Sequence, residues 1–427
     1  MKDHQDLSLA GFFGSKAALC RTLVHMPRSL WTTFAADRLD QRELQRILQR
    51  HFPSGSQPGI REVVYPGETA YAIKLRFSKN DILLDIEAGP LLTAELEARL
   101  TNAIQDAQVN LGPRVFREVL FADHKLLGSW RYKDRFQITP VSLQAPQLNC
   151  LIGDHPFVLE IKKDCSKDGF ITNMRTAQTM RNTELLLAGL VNDSVHVLMA
   201  RSVYGYWVRL PGDEYRPAYR QPYYHCDGLE STDDFSPPSA LAPVLPAREL
   251  YEPYSMSAGT PFSIPDGLTE VVDIFYSLSG EVQERFLRSC YWLQRANRSF
   301  VESFSAAFMA VITAAEVLFE GRPIEVCDHC LQPRYQLRSS FAQLLETYVP
   351  LDECTSRTKN GKTFQARLKH LYDARSKITH GGNLRGWDAK SHAFTPLETQ
   401  DDDDLRALLR VMPCALANWL RAQSVSV

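Results

Sequence analysis

Along residues 1–230, apolar positions change spacing several times. Leu44, Ile47 and Leu48 recur at helical steps, so residues 8–51 read as helical, closed by Ser54-Gly55-Ser56 and Pro58-Gly59. Residues 70–77 then alternate like a half-buried strand, and residues 81–86 predict a second strand. Residues 91–107 predict a helix. Strands are predicted at 157–161, 195–199 and 204–210, the last two as a hairpin of β-branched and aromatic residues. Proline then interrupts the pattern: Pro237, Pro238, Pro243, Pro246, Pro253, Pro261 and Pro265 each remove a backbone donor. This predicts a linker, or a loop draped over a neighbour, at residues 231–265.

After Asp266 the helical period takes over. Helices are predicted at 270–278, 282–298, 299–319, 336–348 and 364–380, with a last one opening at Asp401 and kinked at Pro413. The clearest runs from Ser299 to Phe319, where Val301, Phe304, Ala307, Phe308, Val311, Ala314, Ala315, Leu318 and Phe319 draw an apolar stripe. The expected class is therefore α+β. A mixed α/β sensing or recognition domain (1–230) and a Pro-rich linker (231–265) precede an all-α helical bundle (266–427).

Composition narrows the partners. The 427 residues carry a net charge of -2 and are 44% hydrophobic. That is enough apolar side chain for buried cores, and there is no global basic field to attract nucleic acid. RNA, if bound, needs a local basic site. No apolar run reaches the roughly 18 residues of a membrane span, and the start lacks signal-peptide features, so a cytoplasmic protein without a membrane partner is expected. Nine scattered cysteines do not suggest a disulfide framework.

Candidate chemistry concentrates at Leu371-Tyr372-Asp373-Ala374-Arg375-Ser376-Lys377-Ile378-Thr379-His380-Gly381-Gly382. The glycine pair predicts a helix stop that leaves His380 in the last turn. The partial negative charge of a helix C-terminus therefore lies beside the His380 imidazole. Such a histidine can move a proton from a ribose 2′-hydroxyl or to a leaving oxygen. Arg375 can hold a phosphate and neutralise its charge in the transition state. The two positions lie about 140° apart on an ideal helix, so one copy makes a poor site. Two copies about a twofold axis would gather two arginines and two histidines, which predicts a homodimer.

The surrounding residues resemble the HEPN superfamily in its Apea-like branch, over roughly 284–422. The resemblance rests on an aromatic-rich helix with Trp292, Arg295, Ala296 and Asn297, and on Ala314-Ala315-Glu316-Val317-Leu318-Phe319. Arg334-Tyr335-Gln336-Leu337-Arg338 and the closing Arg375…His380-Gly381 complete it. It implies a HEPN helical bundle and a metal-independent endoribonuclease leaving 2′,3′-cyclic phosphate ends. Arg375 and His380 would be catalytic, with Ser376 orienting substrate or histidine, and Glu316, Asp373 and Lys377 in support. It also implies a conditional toxin of antiphage, abortive-infection defence, answering a phage-derived or neighbouring-protein trigger. The rival is a non-catalytic HEPN dimerisation or binding protein.

Three other groups carry expectations. Glu316 sits among apolar residues and needs a partner, Arg375 or Arg338, most simply as a structural salt bridge. Cys327-Asp328-His329-Cys330 is half of a structural zinc site, completed by Cys354 or His370, with His329 a weaker candidate. No cofactor is required for the cleavage itself. Asp154 with Glu160-Ile161-Lys162 matches the carboxylate–lysine pattern of metal-dependent nucleases, although alternation on a strand also produces it. The acid run Asp401–Asp404 is expected to cap the final helix.

Overall fold

The computed structural model describes residues 28–34, 40–52, 55–66, 70–79, 82–141, 155–191, 193–197, 205–209, 215–219, 229–238, 240–251, 260–300, 302–319, 325–326, 333–334, 337–349, 364–385, 388 and 400–424. The fold is mixed α+β, in two compact units, residues 1–109 and 110–427.

The first unit holds a five-stranded antiparallel sheet and two helices. In chain order these are β1 (Arg28–Ser29), α1 (Gln41–His51), β2 (Ser56–Gly59), β3 (Glu62–Tyr65), β4 (Ile73–Phe77), β5 (Leu83–Ala88) and α2 (Ala94–Gln108), with the strands ordered β1-β5-β4-β3-β2. Asp40 accepts the Arg42 amide and Thr93 the Leu96 amide, which explains why both helices start there. The helix predicted over 8–51 is therefore shorter. Residues 28–29 pair as a strand with β5, and residues 8–27 lie outside the described residues.

The second unit begins with β6 (Asn110–Ala122), β7 (Trp130–Tyr132), β8 (Phe136–Pro140), β9 (His155–Ser166), α3 (Gly169–Leu190) and β10 (His196–Val197). Next come β11 (Gly205–Arg209), β12 (Tyr215–Tyr219), β13 (Val244–Leu245), α4 (Ala247–Tyr251), β14 (Ile264–Pro265), α5 (Leu268–Ser277), α6 (Gly280–Ser299) and α7 (Phe304–Phe319). The short strands β15 (Glu325–Val326) and β16 (Pro333–Arg334) precede α8 (Leu337–Tyr348), α9 (Phe364–Gly381) and α10 (Gln400–Ser424). Its main sheet is antiparallel, ordered β10-β6-β9-β8-β7. The hairpin expected between 195–199 and 204–210 does not form: β10 pairs with β6, and β11 pairs with β12. Both strands found other antiparallel partners, a choice that local patterning does not encode.

One apolar core joins the sheet to the helices, so the proline-rich stretch is not where the chain divides. Leu250, Phe262 and Ile264 are buried, and Phe262 and Ile264 share a core with Phe157 of β9 and with α5–α10. Contrary to the expectation of a linker or loop, the stretch holds the short elements β13, α4 and β14, because its prolines fall between or at the ends of them and leave its apolar residues able to dock. Alanines at 307, 310, 314 and 315 let α6 approach α7 closely, and Ser289 Oγ donates to the Ala314 carbonyl at 2.6 Å. The α7 helix starts at Phe304 rather than Ser299, because Ser303 Oγ accepts the Ala306 amide and so caps it. At the other end of the bundle, Asp404 turns inward onto Arg367 of α9 in a buried ion pair. That residue of the acid run therefore does not act as a cap. The α10 helix runs through Pro413.

Gly189 sets the spacing of α3 against α6. A Cβ there would lie 2.2 Å from Cys290 Sγ and 3.0 Å from its Cβ. Gly189→Ala is expected to cost about 1–3 kcal/mol by overpacking, read as a lower urea midpoint, and Cys290→Ala should recover part of it. An unchanged midpoint would show that the two helices can part without cost.

Candidate active site

The α9 helix places the candidate residues. Its inner face, Leu368, Leu371, Tyr372 and Ala374, is buried against the core. Gly382 adopts φ +61, and its amide donates to the Ile378 carbonyl at 3.1 Å while Asn383 N donates to the Lys377 carbonyl at 3.3 Å. This left-handed stop leaves His380 exposed in the last turn, as its spacing from the glycines implies.

Arg375 points the other way, into the bundle. Its Nη2 meets Glu316 Oε2 at 3.0 Å, and Tyr372 Oη donates to Glu316 Oε1 at 2.7 Å. Burial, and then the bond to Glu316, push the Tyr372 hydroxyl well above the ordinary tyrosine value, so it stays a neutral donor. Arg375 Nε is buried without a partner. Of the two partners anticipated for Glu316, Arg375 is the one used. Arg338 instead reaches Asp373 at 2.6 Å on the exposed side. Ser376 is half-buried and Lys377 exposed. A single copy therefore gathers Arg375, Glu316 and Tyr372 but does not bring Arg375 to His380.

A strap beyond α9 secures this end of the bundle. Asp388 accepts the Phe304 and Ser305 amides at 3.1 and 2.7 Å and the Ser303 hydroxyl at 2.7 Å, and Arg385 N donates to Ser305 Oγ at 2.9 Å. Burial works against its charge, yet these donors hold the Asp388 carboxyl below the usual range. No sequence spacing announces this long-range cap, since 83 to 85 positions separate its partners.

The carboxylate–lysine pattern on β9 has a different use. The register sets Glu160 beside Arg117 of β6 and Gln137 of β8. Fully buried, Glu160 accepts Arg117 Nε at 2.7 Å and Ser236 Oγ at 2.5 Å on one oxygen. Ser236 N at 2.9 Å and Gln137 Nε2 at 3.3 Å occupy the other. Lys162 pairs with Asp134 at 3.0 Å. Asp154 lies outside the described residues, as do Cys327, His329, Cys330 and Cys354; His370 is exposed. Among the described residues no group of three His, Cys, Asp or Glu is placed to hold a metal.

Sequence reasoning missed a cleft of 190 Å³ lined by Asp123, His124, Asp193, Asn297, Arg406 and Arg410, among others. His124 Nδ1 lies 3.0 Å from Asp193 Oδ2, and Asp193 Oδ1 accepts the Asp123 amide at 2.7 Å. The bond to Asp193 raises the His124 pKa above 6.5 against an opposing burial effect. A raised folded-state value stabilises the fold fully below the unfolded pKa, and that contribution disappears as pH rises through the folded one. The urea midpoint should therefore fall as pH rises above about 6.5, and Asp193→Asn should flatten the dependence. An identical slope in that variant would exclude His124 as its source.

Comparison of the chain with family models, with curated proteins and with solved structures gives no match. Among the described residues no helix is long and apolar enough to cross a membrane.

Proposed function

We propose that the chain is a metal-independent endoribonuclease of HEPN type, working as a homodimer with α9 of both copies lining one cleft. The observation that carries this reading is the end of α9. His380 is exposed at a glycine-stopped terminus, and Arg375 is oriented by Glu316 and Tyr372 one and a half turns earlier. His380 takes the proton from a ribose 2′-hydroxyl. The 2′-oxygen bonds to phosphorus, the bond to the 5′-oxygen breaks, and that oxygen receives a proton from the second copy's imidazole. Arg375 neutralises the charge gathering on the phosphoryl oxygens. The products are a 2′,3′-cyclic phosphate and a 5′-hydroxyl. Proton transfer and a guanidinium suffice for this chemistry. The fit to a conditional toxin in antiphage defence rests on the family resemblance.

A second reading has its own observation. Arg375 is mostly buried and already paired with Glu316, as expected of a helical domain that only dimerises or binds a partner. Analysis of cleaved RNA ends separates the two. The proposal expects cyclic phosphates and 5′-hydroxyls from a protein that sediments as a dimer. 3′-Hydroxyl and 5′-phosphate ends would contradict it, and an intact substrate with a folded dimer would favour the second reading.

A further inference from the structure

Arginines accumulate along one stripe of α6 and outnumber the acids near them, Glu184 and Glu302. Arg288, Tyr291, Arg295 and Arg298 stand at steps of three and four, a row about 15 Å long. Arg295 Cζ lies 5.4 Å from the centroid of the Tyr291 ring, and its Nε donates to the Tyr291 hydroxyl at 3.1 Å. From the neighbouring helix α3, Arg181 Cζ approaches the same ring at 5.7 Å. Trp292 stands exposed beside Tyr291, edge to face at 5.6 Å. Glu184, the acid within this group, is buried and already taken by Arg181 at 2.7 Å and Gln294 at 2.7 Å. Burial, and then the charge of Arg295, lower the Arg298 pKa, with Arg181 adding to them and with Glu184 and Glu302 opposing only in part. Arginines clustered around aromatic rings in excess of the carboxylates beside them cost energy in the free protein, and an anion placed among them relieves that cost.

We propose that this stripe of α6, with Arg181 of α3, binds single-stranded RNA, the arginines holding phosphates and Trp292 stacking on a base. The inference rests on the ribonuclease reading above and names how that substrate is held. Single strands fit because their bases are free to stack on an exposed ring, whereas a duplex keeps its bases inside. A local patch of this kind also reconciles RNA binding with a chain whose net charge is -2.

The test is fluorescence anisotropy of a labelled single-stranded oligoribonucleotide with the full chain carrying His380→Ala, in EDTA, so that binding is read without cleavage. Adding Arg295→Glu and Arg298→Glu should weaken binding at least about tenfold and lower the salt slope by about one for each lost phosphate contact. Trp292→Ala should weaken it by about 5- to 150-fold, and a duplex of the same sequence should bind less tightly than the single strand. Lys79→Glu, in the other compact unit, should change little. Arg288→Glu and Trp292→Ala alter exposed side chains, so they keep the test open should the double reversal fail to fold. Undiminished affinity in these variants, or no binding by the His380→Ala protein, overturns the surface. Arginine-dependent binding by a protein that never cleaves RNA would leave the surface standing and remove the nuclease reading; cleavage with arginine-independent binding would do the reverse.

Discussion

Glu160→Ala is expected to destabilise the second unit by about 3–5 kcal/mol, enough to unfold a marginal domain. The carboxylate is fully buried between β6, β8 and β9, and its removal strands the Arg117 guanidinium, which is itself nearly buried. Arg117 Nη1 and Nη2 also hold the Glu230 carbonyl and the Ser236 hydroxyl, so the loss reaches the segment lying over the sheet. Glu160→Gln should cost less, because the side-chain amide oxygen can still accept two of the four bonds. Urea unfolding of both variants measures this. A magnesium site would give another outcome: a stable Glu160→Ala protein that had lost only a metal-dependent activity.

The second large effect concerns Arg375. Arg375→Ala should lower the cleavage rate by about 10²–10³-fold, the cost of removing one preorganised donor to a developing oxyanion. It should also lower stability by about 1–3 kcal/mol, since Glu316 and Tyr372 lose a mostly buried partner. Glu316→Gln tests the orienting part alone: a weaker effect on rate, with Tyr372 still hydrogen-bonded. If Arg375→Ala lost stability and kept its full rate, the ion pair with Glu316 would be its whole role.

Much of this was legible where the physics is local. The apolar stripes placed α5, α6, α8 and α9 within a few residues, because a helix that buries one face must repeat it. The glycine pair stopped α9 where expected, since Gly382 needs positive φ. Glu316 announced a partner by being an acid in an apolar helix, and Arg375 was one of the two residues named. What was hidden depends on distant pairing. Nothing near Asp404 shows that it turns onto Arg367, 37 positions away, instead of capping its own helix. His124 and Asp193 meet across 69 positions, and β10 finds β6 across a similar gap. Prolines in 231–265 kept its elements short but did not exclude them, since β13, α4 and β14 form there, and Phe262 and Ile264 carried the segment into the core. Burial follows side-chain apolarity more than backbone regularity.

The measurement that bears most directly on the central claim is cleavage of total cellular RNA by the purified full chain in EDTA, comparing the unaltered protein with His380→Ala. His380 is exposed and carries no core contact, so the variant should keep its urea midpoint while losing about 10²–10⁴ in rate. Cleavage of equal speed by both proteins, or cleavage that EDTA abolishes, would contradict the assignment of metal-independent proton transfer to the end of α9.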